Sequence, residues 1–271
     1  MLKENDRISG GNIFEGIVSV RTLIANSLAF AAGNSGNDRK IKRVFCDSGR
    51  TGKSREYAWI KHRGEELGFD VVMCSSEDID CMTVGNTHGG LAAECTGRTI
   101  PGISADMIKP NGFYVMLEGI EDPYNFGYAV RNLYAAGASG ILIPERNPMN
   151  AAGICARASA GATEMCPMAV LPPMRDEAEH ASFMKTLQKK GFLRVSAAKT
   201  GNCEELYSFK PEFPLCLFVG GEKRGISPDF VKHSDCIVCI PYASPEVRYS
   251  LPAATTAAVF GFYLADKRKR M

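Results

Sequence analysis

The sequence lacks any apolar run of the roughly 18 residues that a membrane-spanning helix requires. It opens on the polar stretch Met-Leu-Lys-Glu-Asn-Asp-Arg, which predicts that no secretory signal peptide is present. Internal repeats, low-complexity tracts and coiled-coil heptads are also absent. These absences exclude membrane-spanning, repeat and fibrous proteins, and they predict a globular cytoplasmic protein. Its 271 residues, 45% hydrophobic and 23% charged, suffice for two compact domains.

The cysteines lack the pattern of a disulfide scaffold. Ten of them are scattered through a chain of medium length, so we expect reduced thiols. Cys236 and Cys239 form a Cys-x-x-Cys pair, but no second pair lies at metal-ligand spacing. The surrounding Cys-Ile-Val-Cys-Ile has the pattern of a buried strand, which favours packing over metal binding or redox chemistry. No metal site is predicted.

Two nucleotide-binding fingerprints are missing. No Gly-x-Gly-x-x-Gly follows a predicted strand, so an ordinary dinucleotide fold is not indicated. The segment Asp47-Ser-Gly-Arg-Thr-Gly-Lys-Ser54 ends like a phosphate-binding P-loop, but Asp47 stands where the first glycine must be. A carboxylate at that position would repel phosphate. A parallel sheet in this chain must therefore hold a cofactor in another way.

The charge is small overall but unevenly distributed. The net charge is +2, whereas the segment from Arg39 to Arg63 carries +7 and the remainder −5. Lysine and arginine supply sequence-independent affinity for phosphates, so this segment is a candidate polyanion-binding surface. A solvated helix face is the alternative. The candidate contact residues are Arg39, Lys40, Lys42, Arg43, Arg50, Lys53 and Arg55.

Strand and helix patterns alternate in the first part of the chain. Apolar residues recur at helical spacing from Ile13 to Phe30, and the pattern predicts further helices over Ser54–Leu67 and Ser75–Met82. The predicted strands are Ile41–Cys46, Phe69–Cys74 and Gly90–Cys95. We therefore predict a small α/β substrate-binding domain over residues 1–95, followed by a linker over 96–111.

The alternation restarts after the linker. The predicted strands are Phe113–Leu117, Gly140–Ile143, Met168–Leu171, Phe192–Ala197, Leu215–Val219 and Cys236–Ile240. The predicted helices are Phe126–Ala136, Ala151–Ala160, Asp176–Lys190, Ser227–Lys232 and Ala253–Lys267. Apolar strands separated by helices are typical of a parallel sheet whose ligands bind beyond the carboxyl ends of the strands. Residues 112–271 are therefore predicted to form a second α/β domain.

The stretch after the first strand of this domain is chemically the most informative. Asp122-Pro123 predicts a turn, and Asn125 follows at the start of a helix. Arg131 lies less than two helical turns beyond Asn125, which permits both side chains to face the carboxyl edge of the sheet. An arginine beside an asparagine suits gripping a phosphate and orienting a hydroxyl. A helix cap followed by a surface arginine is the alternative.

Three segments together resemble a known family. Leu117-Glu-Gly-Ile-Glu-Asp-Pro-Tyr-Asn-Phe-Gly-Tyr-Ala-Val-Arg131 resembles the first motif of the SpoU family of RNA 2′-O-methyltransferases. Phe218-Val-Gly-Gly-Glu-Lys-Arg-Gly-Ile-Ser227 is similar to the second motif, and Ile240-Pro-Tyr with Ser250-Leu-Pro-Ala-Ala is similar to the third. Arg157-Ala-Ser-Ala-Gly-Ala162 and Asn86-Thr-His-Gly-Gly-Leu91 also resemble family segments, so the match spans most of the chain.

The resemblance implies a fold, a cofactor and partners. It implies an N-terminal α/β domain that contacts RNA, joined to a SPOUT-type catalytic domain whose C-terminal segment forms a deep trefoil knot. It further implies transfer of a methyl group from S-adenosylmethionine to a ribose 2′-hydroxyl of ribosomal or transfer RNA by a homodimer. The implied cofactor-contacting positions are Ala197, Gly220, Ile240, Ser250 and Leu251.

The resemblance also assigns catalytic roles. Arg131 matches the arginine that activates the ribose hydroxyl, and Asn125 and Glu222 match residues that hold this arginine and shape the pocket, with Ser250 completing the site. Because a guanidinium is hard to deprotonate, we interpret Arg131 as orienting the hydroxyl and stabilising the developing alkoxide. Glu222 as a solvated loop carboxylate, and the neighbouring glycines as simple tight turns, are the alternatives.

The third motif departs from the family pattern. The family usually reads Ser-Leu-Asn where this chain reads Ser250-Leu251-Pro252, and Gly221 replaces a residue that is often asparagine. Proline suits the start of the helix that follows, so the fold should tolerate the change. The missing amide motivates an alternative function, an RNA-binding paralogue with weakened or lost turnover. A small-molecule methyltransferase is a third possible function, but the sequence contains no acidic or aromatic motif that would bind a small substrate.

Overall fold

The computed structural model describes residues 12–85, 87–103, 109–244, 246–247 and 249–270. Asn86 of the Asn-Thr-His-Gly-Gly-Leu segment and residues 104–108 of the predicted linker lie outside the described residues. The chain forms two compact units. The first contains the residues up to Thr99 and Pro148–Met165, and the second contains Ile100–Asn147 and the residues from Cys166 onwards. Among the described residues, no helix combines the length and the apolar character needed to cross a bilayer.

Strands and helices alternate along the chain. The strands are β1 (Ile13–Glu15), β2 (Ile41–Asp47), β3 (Asp70–Cys74), β4 (Leu91–Cys95), β5 (Phe113–Glu118), β6 (Gly140–Ile143), β7 (Met168–Val170), β8 (Leu193–Ala197), β9 (Glu204–Glu205), β10 (Leu215–Gly220) and β11 (Cys236–Cys239). The helices are α1 (Ile17–Ala31), α2 (Ser54–Leu67), α3 (Ser76–Met82), α4 (Pro123–Ala135), α5 (Ala152–Ala158), α6 (Ala162–Met165), α7 (Glu177–Lys189), α8 (Pro228–Lys232) and α9 (Ala253–Lys269).

The first unit is built on a four-stranded mixed sheet with the order β1-β4-β2-β3. β2 and β3 are parallel, and β4 is antiparallel to both of its neighbours. The predicted strands and helices of this unit are confirmed, with one error at the start. Ile13–Glu15 was predicted as the first turn of a helix but pairs with β4, and the helix begins only after Gly16, which has a positive φ of 86°.

Local signals account for the helix bounds of the first unit. α2 runs over Ser54–Leu67 as predicted and ends at Gly68, which takes the left-handed conformation and donates its N–H to the carbonyl of Gly64. α3 starts after Ser75, whose hydroxyl accepts from the backbone N–H of Asp78 while the Asp78 carboxylate accepts from Ser75. This reciprocal arrangement is a capping box.

The segment Pro148–Met165 packs within the first unit rather than the second. Ala152 and Ala156 of α5 belong to the same buried core as Phe14. A Cβ on Gly153 would overlap the carbonyl oxygen of Ile13, so only glycine permits this approach of α5 to β1. The predicted domain 112–271 assigned this segment to the second unit. The segment packs on the first unit because small side chains of α5 fit against β1, a strand more than a hundred residues away in sequence.

The second unit is built on a seven-stranded sheet with the order β7-β6-β5-β10-β8-β11-β9. Every neighbouring pair of strands is parallel. The predicted α/β class with a parallel C-terminal sheet is therefore confirmed, and only the two-residue strand β9 escaped the sequence analysis. The core of this unit contains Tyr114, Met116, Phe218 and Phe230, all buried.

One cysteine pair corrects the expectation of reduced thiols. Cys203 and Cys239 form a disulfide, with their Cα atoms 5.8 Å apart and a sequence separation of 36. β9 starts directly after Cys203 and pairs in parallel with β11, which ends at Cys239, and this pairing brings the two sulfurs together. Burial raises the pKa of the Cys46 and Cys95 thiols to about 12.

Candidate active site

A cavity opens at the carboxyl ends of β8, β10 and β11, the position expected for a ligand of a parallel sheet. Its volume is about 530 Å³, within the range of small-molecule binding pockets, about 300–1,000 Å³. All the positions that the resemblance assigns to the cofactor line it: Ala197, Gly220, Ile240, Ser250 and Leu251. The tertiary fold thus brings residues from four separate places in the sequence into one cavity.

The cavity has an apolar wall and a polar rim. The apolar side chains include Val219, Ile226, Val238 and Phe260, and the polar ones include Lys199, Thr200, Glu222 and Ser250. Such a lining fits a ligand with a flat apolar part and charged or hydroxylated ends. S-adenosylmethionine has this composition, since its adenine ring is joined through a ribose to an amino-acid group.

The glycines beside the cavity allow two chain segments to approach each other. A Cβ on Gly220 would overlap the backbone of Gly225, and a Cβ on Gly221 would overlap the carbonyl oxygen of Gly119. The requirement for glycine at these two positions therefore comes from contact between chain segments. This packing presses the loop after β10 against the loop after β5.

Asn125 and Glu222 meet at this contact. Asn125 Nδ2 donates a hydrogen bond of 3.1 Å to Glu222 Oε1. The helix cap of α4 is Asp122, whose carboxylate accepts from the backbone N–H groups of Tyr124 and Asn125. The alternative interpretation, in which Asn125 caps the helix, is therefore wrong. Its side-chain amide is free to hold Glu222, which lines the cavity.

Arg131 is exposed on α4 and lies apart from this pair. Six residues of α-helix rotate a side chain by about 240°, so Arg131 and Asn125 project in different directions. Among the residues that the structure describes, no hydrogen bond or ion pair joins Arg131 to Asn125, Glu222 or Ser250. That both side chains of the first motif face the carboxyl edge of the sheet stays a prediction.

Three residues near the cavity were missed by the sequence analysis. Glu118 Oε2 accepts a 2.8 Å hydrogen bond from the backbone N–H of Ser227, and burial raises the pKa of the Glu118 carboxyl. Tyr242 accepts a 3.1 Å hydrogen bond at its hydroxyl from the N–H of Leu251, and Lys199 Nζ lies 4.4 Å from the centre of the Tyr242 ring. Glu118 and Tyr242 lie inside the first and third motifs, so their positions in those motifs could have identified them as site residues.

Pro252 occupies the position before the last helix. Its φ of −50° and ψ of 144° place it at the N-cap, and its carbonyl accepts from the N–H of Thr256. α9 begins at Ala253 as predicted, so the fold accommodates the proline. The N-cap has no side-chain hydrogen bond, since proline offers none.

The basic residues of the N-terminal segment do not form one surface. Arg39 is buried and pairs with Glu164 at 2.9 Å, so its assignment as an RNA contact is wrong. Arg43 is half-buried, and its guanidinium bonds Glu94 at 2.7 Å. Runs of charge cannot distinguish such paired side chains from solvated ones. The remaining candidates are Lys40, Lys42, Arg50, Lys53 and Arg55. Three of these, Lys42, Arg50 and Lys53, also form ion pairs with carboxylates.

Two of these candidates lie over a pair of glycines. A Cβ on Gly90 would come within 2.6 Å of Arg50 Cδ, and one on Gly89 would lie 3.7 Å from Lys53 Nζ. The preceding His88 is buried, and its Nδ1 accepts from the N–H of Gly90. The loop after β2 and the His-Gly-Gly segment before β4 thus lie against each other, and there Arg50 pairs with Asp47 and Lys53 pairs with Glu56.

Comparison with known proteins identifies the family. The SpoU rRNA Methylase family matches residues 112–262. The 23S rRNA (guanosine-2′-O-)-methyltransferase RlmB of Shewanella oneidensis is 30% identical over 202 residues, which cover 73% of this chain and 79% of that protein. An uncharacterized tRNA/rRNA methyltransferase of Mycobacterium ulcerans is 27% identical over 76% of this chain, and the alignment spans 65% of that protein.

A solved structure shares the fold. The SpoU methyltransferase AviRb of Streptomyces viridochromogenes, in complex with AdoMet, superposes with a TM-score of 0.72 at 18% identity, covering 98% of this chain and 94% of that one. The family match covers more than half of the chain and includes the segments that form the cavity. The chain therefore belongs to the SpoU rRNA methylase family.

Proposed function

We propose that this protein transfers a methyl group from S-adenosylmethionine to the 2′-hydroxyl of a ribose in ribosomal or transfer RNA. The observation that carries the proposal is the convergence of all five implied cofactor positions on one cavity, with Glu222 linking that cavity to Asn125. The name of the Shewanella relative, a 23S rRNA methyltransferase acting on a guanosine ribose, supports the reaction class.

The residues that would hold the cofactor are those of the cavity. Ile240, Ser250 and Leu251 offer backbone groups beside apolar side chains, and the hydroxyl of Tyr242 accepts a hydrogen bond from the N–H of Leu251. When bound, the cofactor supplies a methyl group that is already activated by a positively charged sulfur. The protein's contribution is therefore mainly the positioning of the ribose oxygen and the exclusion of water.

The catalytic residues act on the ribose and its phosphates. Asn125 and Glu222 form a polar pair held by the contact between the loops after β5 and β10. Arg131 binds an RNA phosphate through its guanidinium and stabilises negative charge on the ribose oxygen as the hydroxyl proton passes to solvent. The first unit contributes basic side chains, among them the exposed Arg50 and the half-buried Lys53, to RNA binding.

A homodimer is part of this proposal. α4 and α9 pack against each other and expose aromatic side chains: Tyr124 at 38%, Tyr128 at 46% and Phe262 at 53%. Burying such a face against a second copy would remove apolar surface from water and would enclose the helix that carries Arg131. Sedimentation of the wild type and of Tyr128→Glu tests this, since the variant should sediment as a monomer.

The experiment that tests the proposed reaction follows transfer of a tritiated methyl group to total RNA from cells that lack the protein. We expect incorporation, resistance of the modified ribose to alkaline cleavage, and loss of both with Arg131→Ala. Lys189→Ala, on the exposed surface of α7, is the matched control and should retain full transfer. Absence of incorporation into any RNA, with cofactor bound by calorimetry, would refute the proposal.

Pro252 favours a second candidate function, an RNA-binding protein of the same family with weakened turnover. Pro252→Asn restores the family's amide at an N-cap whose φ suits asparagine. If the missing amide limits the rate, the variant should gain about 10²–10³-fold in transfer. A wild type that is already competent should change by less than about threefold, and that result would reject the second candidate.

A further inference from the structure

Basic side chains surround Glu121 on the loops beside the Asn125–Glu222 pair. Lys223 Nζ donates a 3.2 Å hydrogen bond to Glu121 Oε2. The pKa of the Glu121 carboxyl is lowered first by this hydrogen bond and by the charge of Lys223, and further by Arg146 and Arg224. These four residues, which we name the mouth cluster, are all exposed. The mouth cluster itself therefore contains three basic side chains and one carboxylate.

The sheet topology explains why they meet. Glu121 follows β5, Arg146 follows β6, and Lys223 and Arg224 follow β10. These three strands are neighbours in the order β6-β5-β10 and run parallel, so their carboxyl ends lie at one edge. The cavity lies at the same edge, beyond β10, β8 and β11. β10 is shared, and its loop carries Glu222 between the cavity and the cluster.

We propose that the mouth cluster binds phosphates of the RNA backbone next to the methylated ribose, and that Glu121 competes with these phosphates for Lys223. This inference rests on the proposed function, because it takes the cavity as the source of the methyl group. Every internal ribose of an RNA chain carries a phosphate on each side. A ribose placed at the Asn125–Glu222 pair therefore brings phosphates to the loops after β5, β6 and β10.

The competition follows from the exposure of the ion pair. The side chains of Lys223 and Glu121 are 81% and 60% exposed, and ion pairs of this kind contribute little to folding. A phosphate can therefore replace the carboxylate on Lys223 at small cost. While Glu121 remains, its negative charge repels the incoming backbone. Removing that charge should strengthen RNA binding. If the ion pair only stabilised the fold, its removal would leave RNA affinity unchanged.

The test measures RNA affinity without cofactor, so that it does not depend on methyl transfer. The probe is a short fluorescein-labelled RNA hairpin, followed by fluorescence anisotropy across a series of salt concentrations. The variants are Glu121→Gln and the double variant Lys223→Ala with Arg224→Ala. The matched control is Lys185→Ala with Lys189→Ala, which removes two exposed lysines of α7 from the same unit.

The expected results differ in sign. Glu121→Gln should bind the hairpin about two- to fivefold more tightly, the range of an exposed charge interaction. The double variant should bind about tenfold more weakly at low salt and lose about two units of salt-dependence slope. The control variant should behave like the wild type. Calorimetric binding of S-adenosylmethionine should be unchanged in all variants, which shows that each is folded.

Two results would overturn the inference. One is a Glu121→Gln variant that binds RNA no better than the wild type, and the other is a double variant that matches the control. Failure of the proposed function would look different, because methyl transfer would be absent while the affinities still followed the predicted order. Active transfer with unaltered affinities would reject the mouth cluster alone.

Discussion

Asn125 donates a hydrogen bond of 3.1 Å to Glu222, although 97 positions separate the two residues in the sequence. Asp122 caps α4 and leaves the Asn125 amide free, while Gly221 lets the loop after β10 touch the loop after β5. The first and second motifs of the sequence are therefore one physical unit at the mouth of the cavity.

The first prediction concerns this pair. Glu222→Ala removes the acceptor of the Asn125 amide, and loss of positioning should lower the transfer rate about 10²-fold. Glu222→Gln retains an acceptor oxygen and should lose less. The measurement is the initial rate of methyl transfer at saturating cofactor. Glu65→Ala, on the exposed side of α2, is the control; an alanine variant as fast as this control would contradict the role of Glu222.

The second prediction concerns Arg39. Its side chain and that of Glu164 are only 2% and 1% exposed, and Asn37 Nδ2 donates to the same Glu164 oxygen. Arg39→Ala leaves a buried carboxylate without its cation and should cost about 3–5 kcal/mol of unfolding free energy, measured in urea. Lys40→Ala, the exposed neighbour, should leave stability unchanged. Weaker RNA binding by Arg39→Ala at wild-type stability would disprove the structural role.

The third prediction is a pH dependence. Hydrogen bonds from Arg194, of 2.8 Å from Nε and 2.9 Å from the backbone N–H, hold the pKa of the Asp235 carboxyl below its ordinary value. The folded state therefore favours the charged carboxylate. Its stabilising contribution is complete at neutral pH and is lost as the pH falls below about 4 through the lowered pKa.

Unfolding in urea across a pH series measures this contribution. Asp235→Ala should be less stable than the wild type by about 1–3 kcal/mol at neutral pH, a value reduced for partial exposure of the pair. The difference should shrink in acid. Asp266→Ala removes an exposed partner of Arg270 and should show little change at any pH. A difference for Asp235→Ala that persists unchanged in acid would contradict the assignment.

The fourth prediction concerns the disulfide. Cys203→Ser opens a loop that spans 36 residues and should lower the unfolding free energy by about 3–4 kcal/mol without reductant. Adding dithiothreitol should remove the difference between the variant and the wild type. Cys236→Ser changes a free thiol and serves as the control. If dithiothreitol leaves the stability of the wild type unchanged, the disulfide makes no contribution in solution.

Local patterns determined most elements in advance. The bounds of α2, of β6 and of the start of α9 follow from apolar periodicity, glycine and proline, which act over a few residues. The motif resemblance predicted the family, which the match over residues 112–262 confirms. It also named positions that line one cavity, because segments after parallel strands meet at one sheet edge. The trefoil knot stays a prediction.

Long-range packing decided the rest. The sequence by itself determined the class of the fold, the family and the segments of the site, because each of these depends on residue patterns within short segments of the chain. Only the tertiary structure buried Arg39 against Glu164 and joined Cys203 to Cys239. Each of these outcomes depends on a partner that is distant in sequence. A linear pattern of residue types does not contain such pairings.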